Sequence, residues 1–335
     1  MSYSPFPSLP ISGISFPHSP ITVAAFAYTK QHTTEAVYNH CVRSAYWALL
    51  LVKKLAPLAA KKPDLETVVL ACVLHDMGWS STKELLSTYK RFEVDGADIA
   101  REFVQGYQGE GKEEWDEARV QRVWDAIACE FSFSPPPFFF SFLWHRRYFE
   151  GLFSSRLFRE EGKRGACRFH GGHYPTRTLV DWLSHPTIVH TTPSISPFGS
   201  AEVAAAHLGI TADFAGPKFP SDPWGDRMKL ATEPPAPGAV ITVEEFREVL
   251  RAFPHAGWGA ETAREIFCGL CRDKPVSTFD NFVGWFGREF GFDGKGGGKD
   301  EYLAMWTRVN SPEILTGNFA YLQGLLKEEE EQKQK

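Results

Sequence analysis

Apolar residues along this chain recur mostly at three- and four-residue intervals, the spacing of a helix packed on one face. Over residues 35–55, Val37, Cys41, Ala45, Ala48 and Val52 form one such stripe, and Pro57 closes it. His40 lies beside the stripe. Residues 68–74 are apolar on every side, as a buried helix requires, with Asp64 placed as its N-cap. That run stops at His75 and Asp76, and Gly78 follows where a helix-ending residue with positive φ is expected. Residues 92–103 predict another helix, with Glu93 and Asp95 at its start and Gly106 past its end. Residues 113–128 predict one more, with Val120, Val123, Trp124 and Ile127 as its core stripe.

The pattern then breaks. Residues 129–188 hold ten of the chain's 27 Phe, together with Ser and Pro runs, and no helical or alternating pattern lasts there. Beyond Pro197 helices return: 201–214 with Asp213 near the end, 242–253 opened by the capping box Thr242-Val243-Glu244-Glu245, then 260–272, 278–290 and 313–327, the last with Ser311 as N-cap and Pro312 at N1. Strand-like alternation is nearly absent, so the expected fold is all-α. The division expected is a flexible lead-in at 1–19 that is no signal peptide, a first bundle segment at 20–128, an anomalous insertion at 129–188, a second bundle segment with C-terminal helices at 189–327, and a solvated charged tail at 328–335.

Composition narrows the function. The chain has 335 residues, 43% hydrophobic and 23% charged, enough to bury a sizeable core. A net charge of -5 and a pI near 6.1 argue against nucleic acid as the main partner, because phosphate backbones demand a basic face. No run of 18 apolar residues predicts a membrane span. The six cysteines, scattered and partly inside helical patterns, suit reduced buried thiols of a cytoplasmic protein. The oligomeric state stays open, a homo-oligomer included.

The chemistry is concentrated at His75 and Asp76. Burying both without partners costs on the order of several kcal/mol, and a divalent metal suits both ligands at once. The alternative is a capped helix end, with the imidazole on the last carbonyls and the aspartate in an exposed turn. Two other patterns imitate metal sites. Cys167, His170 and His173 lie inside the 129–188 block with no supporting helix, and Cys268-x-x-Cys271 has no second pair, which favours two packed thiols.

Four stretches, read together, resemble the ordered signature of the HD-domain metalloprotein superfamily: Asn39-His40-Cys41-Val42-Arg43, Leu74-His75-Asp76-Met77-Gly78, residues 91–97 with Glu93 and Asp95, and Ile210-Thr211-Ala212-Asp213. Outside the Phe-rich block the chain is similar to the fungal cyanamide hydratase-like branch, above all in residues 268–284. The resemblance implies an HD-domain helical bundle holding one zinc, with iron or manganese as alternatives, on His40, His75, Asp76 and Asp213. It further implies hydration of a small nitrile, cyanamide to urea, by metal-activated water. His190 is then a candidate to shuttle a proton or contact substrate, Glu93 and Asp95 are acid/base candidates or simply first-turn acids, and Asn39 and Thr191 are candidates to orient or bind substrate.

Two alternatives stand beside this: an HD phosphohydrolase using Arg43, Lys90 and Arg91 on a phosphate, and a product disrupted by the block. In relatives Asp-Ala-Ile-Ala runs through one residue into His-Thr-Thr. Here Asp125-Ala126-Ile127-Ala128 and Val189-His190-Thr191-Thr192 are parted by 60 residues. The block therefore reads as an in-frame unspliced intron, or failing that a lineage-specific insertion.

Overall fold

A computed structural model describes residues 7, 9–128, 199–218 and 240–333 of the chain. The fold is all-α. Among the described residues extended pairing is limited to an isolated bridge between Leu9 and Ile14. The helices are α1 (Pro20–His32), α2 (Glu35–Lys54), α3 (Ala56–Ala59), α4 (Leu65–Leu74), α5 (Phe92–Gly106), α6 (Glu117–Ala128), α7 (Ala201–Ala215), α8 (Val243–Ala252), α9 (Ala260–Asp273), α10 (Val283–Phe290), α11 (Lys299–Asn310) and α12 (Pro312–Lys333).

α2 is the axis of the bundle. The Thr34 side chain caps it by accepting from the Val37 amide, and Cys41, Val42, Ala45, Trp47, Ala48 and Leu51 are all fully buried. α4 and α7 pack on α2, and α4 also meets α1 and α6. α7 is lined with Ala204, Ala205, Ala206 and Ala212, and a Cβ on its Gly209 would lie 2.5 Å from the Ser44 carbonyl oxygen of α2. Small residues let these two helices approach closely. α4 is capped by Asp64 as its pattern predicts, and its apolar run from Val68 to Leu74 is completely enclosed. A second apolar cluster joins Phe267, Cys268, Cys271, Phe282, Val283, Phe286 and Tyr302 to Val37, Cys41, Trp79 and Phe92. The carboxyl end of α4 thus lies between two cores.

Several boundaries differ from the sequence reading. The lead-in is packed from residue 9 onward: Leu9, Ser12 and Phe16 are buried, and the Ile11 and Ser12 amides donate to the Glu248 carboxylate. α1 has too weak an apolar stripe to stand out, yet Ser19 caps it and Pro20 opens it. α6 starts four residues late because Gly111 turns the chain at φ 82° and a 3-10 turn, Lys112–Glu114, intervenes. Another 3-10 turn, Pro275–Thr278, delays α10 to Val283, where Asn281 Oδ1 accepts the amide. α11 follows a glycine-rich turn, and α12 continues to Lys333 through the expected tail.

The 129–188 block, including Cys167, His170 and His173, lies outside the described residues. α6 and α7, from either side of it, pack directly on each other. Among the described residues no helix is long and apolar enough to cross a membrane.

Candidate metal centre

α4 does not simply run out at a left-handed glycine. After Leu74 the chain tightens into a 3-10 turn, His75–Trp79, with Asp76 at φ −88° and ψ 16°. Gly78 is required for proximity instead of a positive φ, since a Cβ there would lie 1.8 Å from the Phe92 carbonyl oxygen. Gly96 is its counterpart on α5, where a Cβ would lie 2.4 Å from the His75 carbonyl oxygen. These two glycines let the first turns of α5 press against the His-Asp turn.

The packing of α2 against that turn brings His40 to His75 and Asp76. Each offers a ligand atom, and the three atoms lie within 4.8 Å of one another, all buried. His40 Nε2 is 3.7 Å from Asp76 Oδ2, and His75 Nε2 is 3.2 Å from Asp76 Oδ1. His75 Nδ1 is 2.7 Å from the Cys72 carbonyl, which only accepts, so Nδ1 carries the hydrogen and Nε2 presents its lone pair. Burial lowers the pKa of His40 against the pull of Asp213, which favours the neutral, ligating ring. Both Asp76 oxygens and His40 Nε2 are buried without a hydrogen bond among the described residues. Two imidazoles and a carboxylate so arranged fit a divalent cation.

Residues 37–161 match the HD domain. The match spans His40, His75 and Asp76 and stops short of Asp213. HD domains bind divalent metals. No curated protein matches the chain.

Aromatic rings wall the candidate centre. Trp258 stacks on His40 with ring centroids 4.7 Å apart and planes 8° from parallel, and Phe214 lies 5.1 Å from the same imidazole. Trp79 stands 6.0 Å from Trp258, with Phe92 and Phe267 behind it. Residues 253–258 form a rim fixed to α2, because Pro254 O accepts from Asn39 Nδ2 at 3.2 Å and Arg43 Nη1 at 3.0 Å. His255, on that rim, is 38% exposed and lies 3.7 Å from Asp213. Helical periodicity gave no signal for Trp258 or His255, since both sit in a loop; the aromatic cluster exists only once the rim folds over α2.

The remaining candidates separate. Asp213 stands outside the three-residue group. Its Oδ1 accepts from Arg43 Nε at 2.7 Å and Trp47 Nε1 at 2.9 Å, and its Oδ2 from Arg43 Nη2 at 2.8 Å and His40 Nδ1 at 2.7 Å. Burial alone would raise its pKa, but His255, His40 and the Arg43 guanidinium outweigh burial and hold it well below the usual carboxylate range. Asn39 holds the rim through its bond to Pro254. Asp95 pairs with another helix: Lys274 Nζ is 2.7 Å from its Oδ2, and the Ser87 amide donates to its Oδ1. Glu93 is buried with Arg91 Nη2 3.6 Å away, and burial raises its pKa to about 7. His190 and Thr191 lie outside the described residues. Cys268 and Cys271 are buried thiols facing the Phe286 and Val283 carbonyls, as packing predicts.

Proposed function

We propose that the protein is a metal-dependent enzyme that adds water to a small nitrile, with cyanamide to urea as the reaction to test first. The observation that carries the metal half is the buried trio His40, His75 and Asp76, whose acceptor atoms converge with no hydrogen-bond donor on Asp76 among the described residues. We take zinc as the resident ion, with iron or manganese as alternatives. A bound divalent cation supplies Lewis acidity and an activated water near neutral pH. His40, His75 and Asp76 would hold it.

The substrate half rests on the surroundings. Trp258, Phe214 and Trp79 offer a small apolar wall suited to a compact uncharged molecule and exclude bulk water from the trio. A phosphate would need cations aimed at it. The three named for that purpose are engaged elsewhere: Arg43 on Asp213, Lys90 on Asp98 at 2.7 Å, and Arg91 beside Asp280 and Glu93. In the hydration, oxygen from water bonds to the nitrile carbon and two protons pass to the nitrogen. The His75 Nδ1–H held by Cys72 keeps its other nitrogen basic. His190 remains the candidate proton carrier and Thr191 a substrate contact, on the family resemblance alone.

The test is metal analysis of the purified protein with urea release from cyanamide, run beside a panel of phosphomonoesters. Stoichiometric metal and urea release are expected, with both lost in His75→Ala. Phosphomonoester turnover without urea would overturn the nitrile assignment; metal-free wild-type protein would overturn the whole reading.

A further inference from the structure

Resting on the metal reading above, we infer that Asp213 is a positioning residue for His40 and not a fourth ligand. This departs from the four-ligand set that the family resemblance implies, and it follows from the donors around one carboxylate. An ionised carboxylate offers about four lone-pair positions. Arg43 Nε and Trp47 Nε1 fill those of Oδ1, and Arg43 Nη2 and His40 Nδ1 fill those of Oδ2. No lone pair is left for a cation.

Direction says the same. Asp213 meets His40 at Nδ1, whereas Asp76 lies on the Nε2 side of the same ring. The two ring nitrogens point away from each other, so an oxygen seated on Nδ1 is on the wrong side to share a cation with Nε2. Because an ionised carboxylate can only accept, it fixes the hydrogen on Nδ1 and leaves the Nε2 lone pair facing Asp76.

Arg43 completes the device. Its guanidinium is fully buried, forks onto both oxygens of Asp213, and extends Nη1 to the Phe253 and Pro254 carbonyls. One side chain of α2 therefore ties the end of α7 to the rim, and the rim delivers Trp258 onto the face of His40. The imidazole is held at its nitrogen by Asp213 and on its face by Trp258. Ligation by Asp213 would require it to abandon a buried guanidinium.

The experiment loads wild type, Asp213→Asn and Asp76→Asn with Co2+ after metal removal, and records the visible ligand-field spectrum and the Zn2+ dissociation constant by chelator competition. Asp213→Asn should bind Zn2+ about 10- to 100-fold more weakly, the usual effect of an outer-sphere partner, with the cobalt band positions and intensity of wild type. Asp76→Asn should lose or shift the bands. Bands altered in Asp213→Asn as in Asp76→Asn would overturn the inference, as would an unchanged dissociation constant. Wild type that binds neither ion would overturn the metal reading itself, and this inference with it. Should Asp213→Asn fail to fold by circular dichroism, Arg43→Lys replaces it. Loss of the fork should weaken Zn2+ binding with the spectrum preserved; an unchanged constant or a changed spectrum would overturn the proposal.

Discussion

Glu93 is 1% exposed in the first turn of α5, and neither of its carboxylate oxygens has a hydrogen bond among the described residues. Burial raises its pKa from 4.5 to about 7, against the weaker opposing pull of Arg91. The folded state therefore binds a proton that the unfolded state releases between those two values. Stability is greatest below pH 4.5 on this account and falls as pH rises toward 7. At about 1.4 kcal/mol per pH unit the loss is at most about 3 kcal/mol. Glu93→Gln should match wild type in denaturant unfolding at pH 5 and exceed it by about 1–3 kcal/mol at pH 8. A pH-independent difference would show that Arg91 keeps the carboxylate charged. At this scale the sequence showed which residues carry chemistry but not what they touch. His75 and Asp76 stood out because polar groups ended an apolar run. Asp95 and Asp213 are chemically equivalent in sequence, and only the cation delivered by another helix, Lys274 or Arg43, gives each its role.

The Asp95–Lys274 pair, 3% and 5% exposed, joins the start of α5 to the end of α9. It links the helix that presses on the His-Asp turn to the second apolar cluster. Removing one partner of a buried pair leaves the other charge uncompensated. Lys274→Met should destabilise the protein by about 3–5 kcal/mol in urea unfolding. Asp95→Asn added to it should recover part of that loss, because the orphaned charge is then gone. Additive losses would mean that the pair contributes nothing as a pair. Among the elements, α2, α4, α7 and α8 were legible almost to the residue: Asp64 and the Thr242 capping box marked two of the starts in the sequence, and the structure adds the caps Thr34 and Ser200 at the other two. α1 and α11 were not, because neither carries a clear apolar stripe and α11 opens from Gly298 without a side-chain cap.

Across the whole molecule, α6 and α7 close the bundle from opposite sides of the 129–188 block, and the HD match itself runs into that block. The contacts around His40, His75, Asp76 and Asp213 described above are made without it. A chain joining Ala128 to Val189 should fold with the same metal stoichiometry as the full chain, and mature transcript reads should skip the block. Metal loss in the shortened chain, or reads that run through the block unbroken, would sink the intron expectation.

The sequence by itself determined the all-α class and most helices of the bundle, because helical periodicity and caps are local properties. It also singled out His75 and Asp76, through an abrupt change from apolar to polar that local patterning exposes, while His40 became a candidate only through the family resemblance. Tertiary structure alone decided that Gly78 serves close approach, that Asp95 belongs to Lys274, and that Trp258 covers His40. It alone placed Asp213 on the far nitrogen of His40 with Arg43. Each of these depends on which groups meet across helices distant in the chain, and a carboxylate's role is set by the donors that reach it.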